Sequence, residues 1–369
     1  MNIKNSKRIV VKVGSSMIFD TEKNCVRREW LKSLAEDVVN LISAGKEVII
    51  VASGAVALGR EFIKNKTHLS LAEKQAASSC GQVFLMDAWQ ESFTNFGYHI
   101  GQLLLTKDTA DNLRRCLNAR DTLETLLKYK LIPLINENDS VTTEEIRIGD
   151  NDQLAALVAQ MFSADTLILL SDIDGMYTED PHKNPDARFI PEITEITEEI
   201  EAMAGDTRSA VGTGGMITKL EAAKIAYRSG CNTVILKGKV NHPLHALENK
   251  DAKCTWFVSD KNPRMAREHW IADILHSKGE ITLYDSEIET LQNGQDLVPV
   301  GVMKISGEFE RGDLVLIRNK NGDTIGKGLS AYKSCEAEKI IGKYTHDVDE
   351  ILGYEGRKAL IFREDIVLA

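Results

Sequence analysis

Lys7-Arg8-Ile9-Val10-Val11-Lys12-Val13-Gly14-Ser15-Ser16 sets the grammar of the chain: a β-branched run between polar residues, then a glycine turn. Such a run reads as a buried strand. Lys12 interrupts it. A lysine there either points to water from an edge strand or, if buried, meets an anion, because burying it unpaired is costly. The pattern recurs where the strand-like run at 46–51 turns through Ala52-Ser53-Gly54-Ala55-Val56-Ala57 into a helix, with residues small enough for an anionic group to approach the backbone. It recurs again at Val211-Gly212-Thr213-Gly214-Gly215-Met216-Ile217-Thr218-Lys219-Leu220, where a glycine-rich turn feeds a helix closed by Ser229 and Gly230. A glycine pair alone is more often a plain surface turn before a helix. The adjacent lysine and the two other glycine sites turn the reading toward phosphate binding.

Between residues 9 and 238 short β-branched runs alternate with longer helical patterns, the layout of an α/β protein. Strands are expected at 9–13, 48–51, 100–105, 132–135, 167–170 and 234–236, and helices at 27–43, 71–96, 113–130, 152–162 and 218–228. Most of these strands lack polar alternation, so the sheet should be largely parallel and sandwiched by helices. Ligands then belong at the carboxyl ends of the strands. Lys12 with Gly14, Ser53 with Gly54, Asn136 with Asp139, and Ser171 with Asp172 all fall on that rim. After Lys261 the pattern changes to a helix at 264–274 and then short strands broken at Asn293-Gly294, Arg311-Gly312-Asp313 and Asn321-Gly322-Asp323. The expected organisation is an α/β domain at 1–259, a helical linker at 260–278 and a small C-terminal β-barrel at 279–369.

The 369 residues are 43% hydrophobic and 27% charged, an ordinary globular composition. A net charge of -10 argues against bulk attraction to nucleic acid or anionic membrane and favours small-molecule partners. Six cysteines are scattered without a C-x-x-C pair, which suggests neither a zinc site nor a disulfide framework and fits a reducing cytoplasm. No signal-peptide pattern and no run of about 18 apolar residues is present.

Six segments, taken in order, resemble the amino acid kinase family, and within it the glutamate 5-kinases. They are Val11-Lys12-Val13-Gly14-Ser15-Ser16; Ser53-Gly54-Ala55; Asn136-Glu137-Asn138-Asp139-Ser140-Val141; Gly149-Asp150-Asn151-Asp152; Ser171-Asp172-Ile173-Asp174-Gly175-Met176-Tyr177 with Asp180-Pro181; and Gly212-Thr213-Gly214-Gly215-Met216 through Lys219. Residues from Gly279 to the end resemble a PUA domain, with one departure: Ser286-Glu287-Ile288 stands where that family has a small Gly-Ala step. From Lys278 onward 12 Lys plus Arg face 17 Asp plus Glu, the wrong sign for a reader of phosphate backbones, so nucleic acid is not expected as a partner.

The resemblance implies an amino acid kinase fold and transfer of the ATP γ-phosphoryl group to the γ-carboxylate of L-glutamate, the first step of proline biosynthesis. Both reactants are anions, and at about 4 Å with an effective dielectric near 20 each pair of unit charges repels by roughly 4 kcal/mol. Fixed cations and backbone dipoles must cancel that repulsion. The resemblance assigns Lys12 to the transferring phosphoryl group, Lys219 to the leaving side, and Asp152 to holding both lysines in register. By itself Asp152 reads as a solvated residue favoured by a helix N-terminus. No general base is needed, since a carboxylate nucleophile is already ionised near neutral pH.

For glutamate, Asp139 is assigned to the α-ammonium, Asn136 and Asn151 to hydrogen bonds, and Ser53 to a carboxylate; Asn-Glu-Asn-Asp alone is commonly a plain turn. Ser171, Asp172, Thr213, Gly214, Gly215 and Met216 are assigned to the nucleotide together with Lys12 and Lys219. Mg²⁺ is expected with ATP, held by phosphate oxygens and water. The resemblance further implies proline as a feedback inhibitor, a homo-oligomer, hand-over of product to glutamate-5-semialdehyde dehydrogenase and a cytoplasmic location. Rival readings are acetylglutamate, aspartate, carbamate and uridylate kinases, and an RNA-binding protein using the PUA-like part.

Overall fold

The computed structural model describes residues 2–63, 69–143, 151–181, 183–205 and 215–369. They form two compact units, Met1–Pro263 and Arg264–Ala369.

In the first unit an eight-stranded sheet is built from β1 (Arg8–Val13), β2 (Glu47–Ala52), β3 (Ile100–Leu105), β4 (Ile132–Glu137), β5 (Thr166–Ser171), β6 (Glu192–Ile193), β7 (Asn232–Lys237) and β8 (Cys254–Phe257). Their order across the sheet is β6-β8-β7-β5-β1-β2-β4-β3. Every pairing is parallel except β7 with β8. All six expected strands are present; the two additional strands, β6 at one edge and β8 beside it, are short and carry no periodic signal. Strand order reverses between β1 and β5, which puts a crevice at their carboxyl ends.

Successive strand side chains point to opposite faces, and both faces are buried. Ile9, Val11 and Val13 pack with Val48 and Ile50 against α2 (Arg28–Ser43) and α4 (Leu71–Thr94). Val10, Ile49, Val51, Leu167 and Leu169 pack against α5 (Leu113–Lys128), α6 (Asn151–Met161) and α7 (Met216–Arg228). Two short helices, α1 (Ser15–Ile18) and α3 (Ala55–Gly59), follow β1 and β2 directly. Helix α4 begins at a capping box: Ser70 Oγ accepts from the Glu73 N–H and the Glu73 carboxylate accepts from the Ser70 N–H.

Helices α3 and α4 meet backbone to backbone. A Cβ on Gly81 would stand 1.8 Å from the Ala55 carbonyl oxygen, and one on Gly59 would stand 1.7 Å from that of Ala77. Only glycine permits this approach, and it fixes the turn at Ser53 and Gly54 against α4.

The second unit holds a five-stranded sheet of β9 (Gly279–Leu283), β10 (Val302–Gly307), β11 (Leu314–Arg318), β12 (Thr324–Leu329) and β13 (Ile366–Leu368), in the order β10-β9-β11-β12-β13. Ile281, Leu283, Val315, Ile317 and Ile366 fill its core with Leu297 and Ile361, which form a bridge. The expected helix at 264–274 is Pro263–Asp273.

Candidate active site

Lys12 lies two residues beyond Val10 on β1, so its side chain shares the face covered by α6 and α7. Asp152 is in the first turn of α6, and Lys219 is in the opening turn of α7. The three converge: Lys12 Nζ lies 2.6 Å from Asp152 Oδ1, and Lys219 Nζ lies 3.0 Å from Asp152 Oδ2. All three residues are buried, Asp152 completely. Burial alone would push the Asp152 carboxyl up, but the Lys12 and Lys219 ammonium groups outweigh it and hold it below its ordinary value. Thr218 Oγ1 stands 3.2 Å from Asp152 Oδ2 and 2.9 Å from the Gly215 carbonyl, so its one proton serves either acceptor.

Lys12 and Lys219 lie at the foot of a cleft of about 500 Å³ at the carboxyl ends of the strands. Lys12, Ser53, Asn136, Asp139, Asn151, Ser171, Asp172 and Lys219 all line it. Asp152 lies beneath, behind the lysines it pairs. Gly215 and Met216 are the N-cap and first residue of α7 and are not among the cleft-lining residues described. Thr213 and Gly214 lie outside the described residues.

One wall is a polar ladder. Asn151 Nδ2 donates to the Asn136 side-chain oxygen and to the Ala52 carbonyl, both at 2.9 Å, and Asn136 Nδ2 donates to Gln82 Oε1 at 2.9 Å. Ser78 Oγ donates to Asp139 Oδ2 at 2.7 Å, and Gln75 Nε2 donates to the Thr142 carbonyl at 2.9 Å. The 136–142 segment is thus held against α4 rather than left as a free turn.

The floor is backbone. Gly14 and Gly54, the caps of α1 and α3, line it, and neither cap has a side-chain hydrogen bond. Gly54 has φ +119, a left-handed conformation, and so turns β2 sharply into α3. Ser171 and Asp172 form the opposite lip, where Ser171 Oγ donates to Asp172 Oδ1 at 3.1 Å and the Ser171 carbonyl accepts from the Gly238 N–H at 2.7 Å.

Reading the sequence missed Arg60, Lys74 and Glu137, which also line the cleft, and Ser78 and Gln82, which orient its lining. Lys74, Ser78 and Gln82 recur every four residues on α4 as a polar stripe, but Glu73, Gln75 and Ser79 put polar residues on neighbouring faces, so spacing alone does not single the stripe out.

A parallel sheet with its crevice at the strand-order reversal, glycine helix starts and two lysines on one carboxylate define an anion-handling α/β enzyme of the phosphotransferase kind. Residues 7–237 match the profile of the amino acid kinase family, and residues 279–352 match the PUA domain. Glutamate 5-kinase of Paramagnetospirillum magneticum is 49% identical over 98% of this chain and 98% of its own length, and that of Nitrobacter hamburgensis is 47% identical over 100% and 97%. Among solved structures, carbamate kinase from Giardia lamblia bound to AMP-PNP aligns over 69% of this chain and 99% of its own, at 19% identity and a TM-score of 0.49. The chain belongs to the amino acid kinase family and, within it, to the glutamate 5-kinases. No described helix is long and apolar enough to cross a membrane.

Proposed function

We propose that this chain transfers the γ-phosphoryl group of ATP to the γ-carboxylate of L-glutamate, the first step of proline biosynthesis, using the cleft above Lys12, Asp152 and Lys219. The observation that carries the reading is the sharing of one buried carboxylate by two lysines from opposite ends of the domain. A γ-carboxylate oxygen attacks the γ-phosphorus, the bond to the β,γ-bridging oxygen breaks, and ADP leaves with that electron pair. No proton need move. Lys12 neutralises charge on the transferring group and Lys219 on the leaving side, while Asp152 fixes both ammonium groups before the reactants arrive.

Glutamate brings an ammonium and a second carboxylate. Asp139, aimed by Ser78, suits the ammonium; Asn136, Asn151 and Ser53 supply hydrogen bonds. The α-carboxylate needs a cation other than the two catalytic lysines, and Lys74, one helical turn before Ser78 on the cleft wall, fits that role. Ser171, Asp172, Thr213, Gly214, Gly215 and Met216 are assigned to the nucleotide. Glu137, Asp139 and Asp172 line the cleft, yet among the described residues no three acidic, His or Cys side chains form a metal-binding group. That donor set fits a magnesium ion held chiefly by the nucleotide's phosphate oxygens and water, where it would offset phosphate charge.

The same reading includes proline as an inhibitor, a homo-oligomer, hand-over of the acyl phosphate to glutamate-5-semialdehyde dehydrogenase, a cytoplasmic location, and a kinase domain at 1–259 joined by 260–278 to a PUA-like domain at 279–369. ADP release measured with glutamate, aspartate, acetylglutamate, carbamate and UMP side by side tests it. Turnover with glutamate alone is expected; a faster rate with any other acceptor would overturn it.

A further inference from the structure

A second cavity, of about 540 Å³, shares Met17 of α1 with the active cleft. It is walled by the short hairpin Phe19–Asp20 and Cys25–Val26, the start of α2 and the segment after β7. Four cations line it, Lys23, Arg27, Arg28 and Lys239, against two acids, Asp20 and Glu29, so positive charge is in excess there. Arg28 is engaged by Glu91, and Arg27 Nη1 lies 3.0 Å from Asp20 Oδ2. Lys239 has no ion-pair partner among the described residues, and Lys23 has only the attraction of Asp20 in its own turn. The chain carries a net charge of -10, so this concentration of positive charge runs against its average.

Arg27 faces the cavity with the outer part of its guanidinium, its side chain 39% exposed and Nη1 steadied by Asp20. The surrounding cations are also held in place. Asp20 accepts from the Glu22 and Lys23 N–H groups, both at 3.2 Å, and so folds the turn that carries Lys23. Trp30 Nε1 donates to the Gly238 and Val240 carbonyls, at 2.8 and 3.0 Å, and so pins the backbone on both sides of Lys239. The apolar parts of Trp30 and Met17, both nearly buried, form the floor with Val26 and Cys25, and Asn241 adds a polar group.

We propose that this cavity is a second ligand site, which binds a small organic di- or tricarboxylate. Its carboxylates meet Lys23, Arg27 and Lys239, and its carbon body lies on Trp30 and Met17. Separated cations around an apolar floor suit charge spread over a carbon chain better than a compact inorganic ion. The site communicates with the active cleft through one short element: Gly14, Ser15 and Ser16 line the cleft, Met17 lines both, and Asp20 lies in the second cavity. This coupling rests on the kinase reading above, whereas the binding does not.

Citrate is the probe, titrated calorimetrically into the full chain without nucleotide, with inorganic phosphate as the control. The Lys23→Ala/Lys239→Ala double variant should bind citrate at least about 10-fold more weakly, and Lys219→Ala should bind it as wild type does. With free Mg²⁺ held constant, citrate should also shift the apparent KM for ATP in wild type but not in the double variant, which keeps its basal activity. The site is refuted if citrate binding survives the double substitution, disappears with Lys219→Ala, or is no tighter than that of phosphate. Binding that behaves as expected in a protein with no glutamate-dependent turnover would leave the site standing and remove the kinase reading instead.

Discussion

Lys12 and Lys219 place their ammonium groups on opposite oxygens of the Asp152 carboxylate, at 2.6 and 3.0 Å, from the first strand of the sheet and from the helix that precedes its seventh. Two like charges so close would repel if left alone. Asp152 offsets that repulsion and fixes their spacing before any phosphate enters, so the polar surroundings need little rearrangement during transfer. Removing one partner of a buried pair costs about 3–5 kcal/mol, because the remaining charge is left uncompensated.

Asp152→Asn preserves shape and removes the charge. At pH 7 kcat should fall about 100-fold or more, in line with the loss of an electrostatic organiser. The Asp152 carboxyl is held below its ordinary value in the folded chain, so its contribution is complete above the ordinary carboxylate range and is lost as pH falls through the depressed value. The difference in urea midpoint between wild type and variant should therefore be full at pH 6 and narrow below about pH 4. A difference that stays constant to pH 3 would assign the stabilisation to another group.

Lys219→Ala should lower kcat by about 100- to 1000-fold and leave the KM for glutamate within a few-fold, since the ammonium is expected to act on charge that develops during transfer. Steady-state kinetics with both substrates varied separates the two effects. Near wild-type kcat would take Lys219 out of the chemistry.

Ser78→Ala removes the hydroxyl that donates to Asp139 Oδ2 at 2.7 Å. A hydrogen bond to a charged group contributes about 1.5–3 kcal/mol, so the KM for glutamate should rise about 10-fold or more while that for ATP holds. Asp139→Asn should have the larger effect, and adding Ser78→Ala to it should change little further, because both act through one contact. Additive effects would mean that Ser78 and Asp139 serve the substrate separately.

Five of the six expected strands were legible because each is buried on both faces and reads as an apolar run, as in Ile9 to Val11 and Val48 to Val51, whereas Ile100–Leu105 lies at the sheet edge with Gln102 and Leu104 exposed. The strand Glu192–Ile193 at the opposite edge and Cys254–Phe257 beside it carry no comparable signal, being too short for any period to show. Site residues at strand ends, such as Lys12, Ser53, Asn136 and Ser171, could be placed on one rim from order alone. Lys74, Ser78 and Gln82 could not, because they lie inside a helix whose polar and small residues fall on several faces, and only contact with the 136–142 segment singles them out. Gly59 and Gly81 were silent for a related reason: neither marks a turn, and their role is a close approach between α3 and α4 that no periodic pattern records.

Gly81→Ala tests that approach. The added methyl would sit 1.8 Å from the Ala55 carbonyl oxygen, which is backbone and cannot swing aside as a side chain would. Forcing the two helices apart should cost about 1–3 kcal/mol, the usual range for overpacking. It should also move the Ser53 and Gly54 turn relative to Ser78 and Asp139. Thermal unfolding should show the loss of stability, and the KM for glutamate should rise in the folded fraction. An unchanged Tm would mean that the contact is looser in solution.

Lys74→Met asks whether the α-carboxylate of glutamate is read by the cleft wall. Wild type should use 4-aminobutyrate far less well than glutamate, because that analogue keeps the amine and the reacting carboxylate but lacks the group assigned to Lys74. In Lys74→Met, kcat/KM for glutamate should drop about 10- to 100-fold, the value of one charge-assisted contact, whereas kcat/KM for 4-aminobutyrate should scarcely change. The preference between the two acceptors would then shrink by the same factor, a result that general damage to the site cannot give, since damage lowers both rates together. Arg60 lines the same cleft and is the other cation available to this carboxylate. If Lys74→Met leaves the preference intact while Arg60→Met abolishes it, the α-carboxylate belongs to Arg60, and the polar stripe on α4 serves only to hold the 136–142 segment.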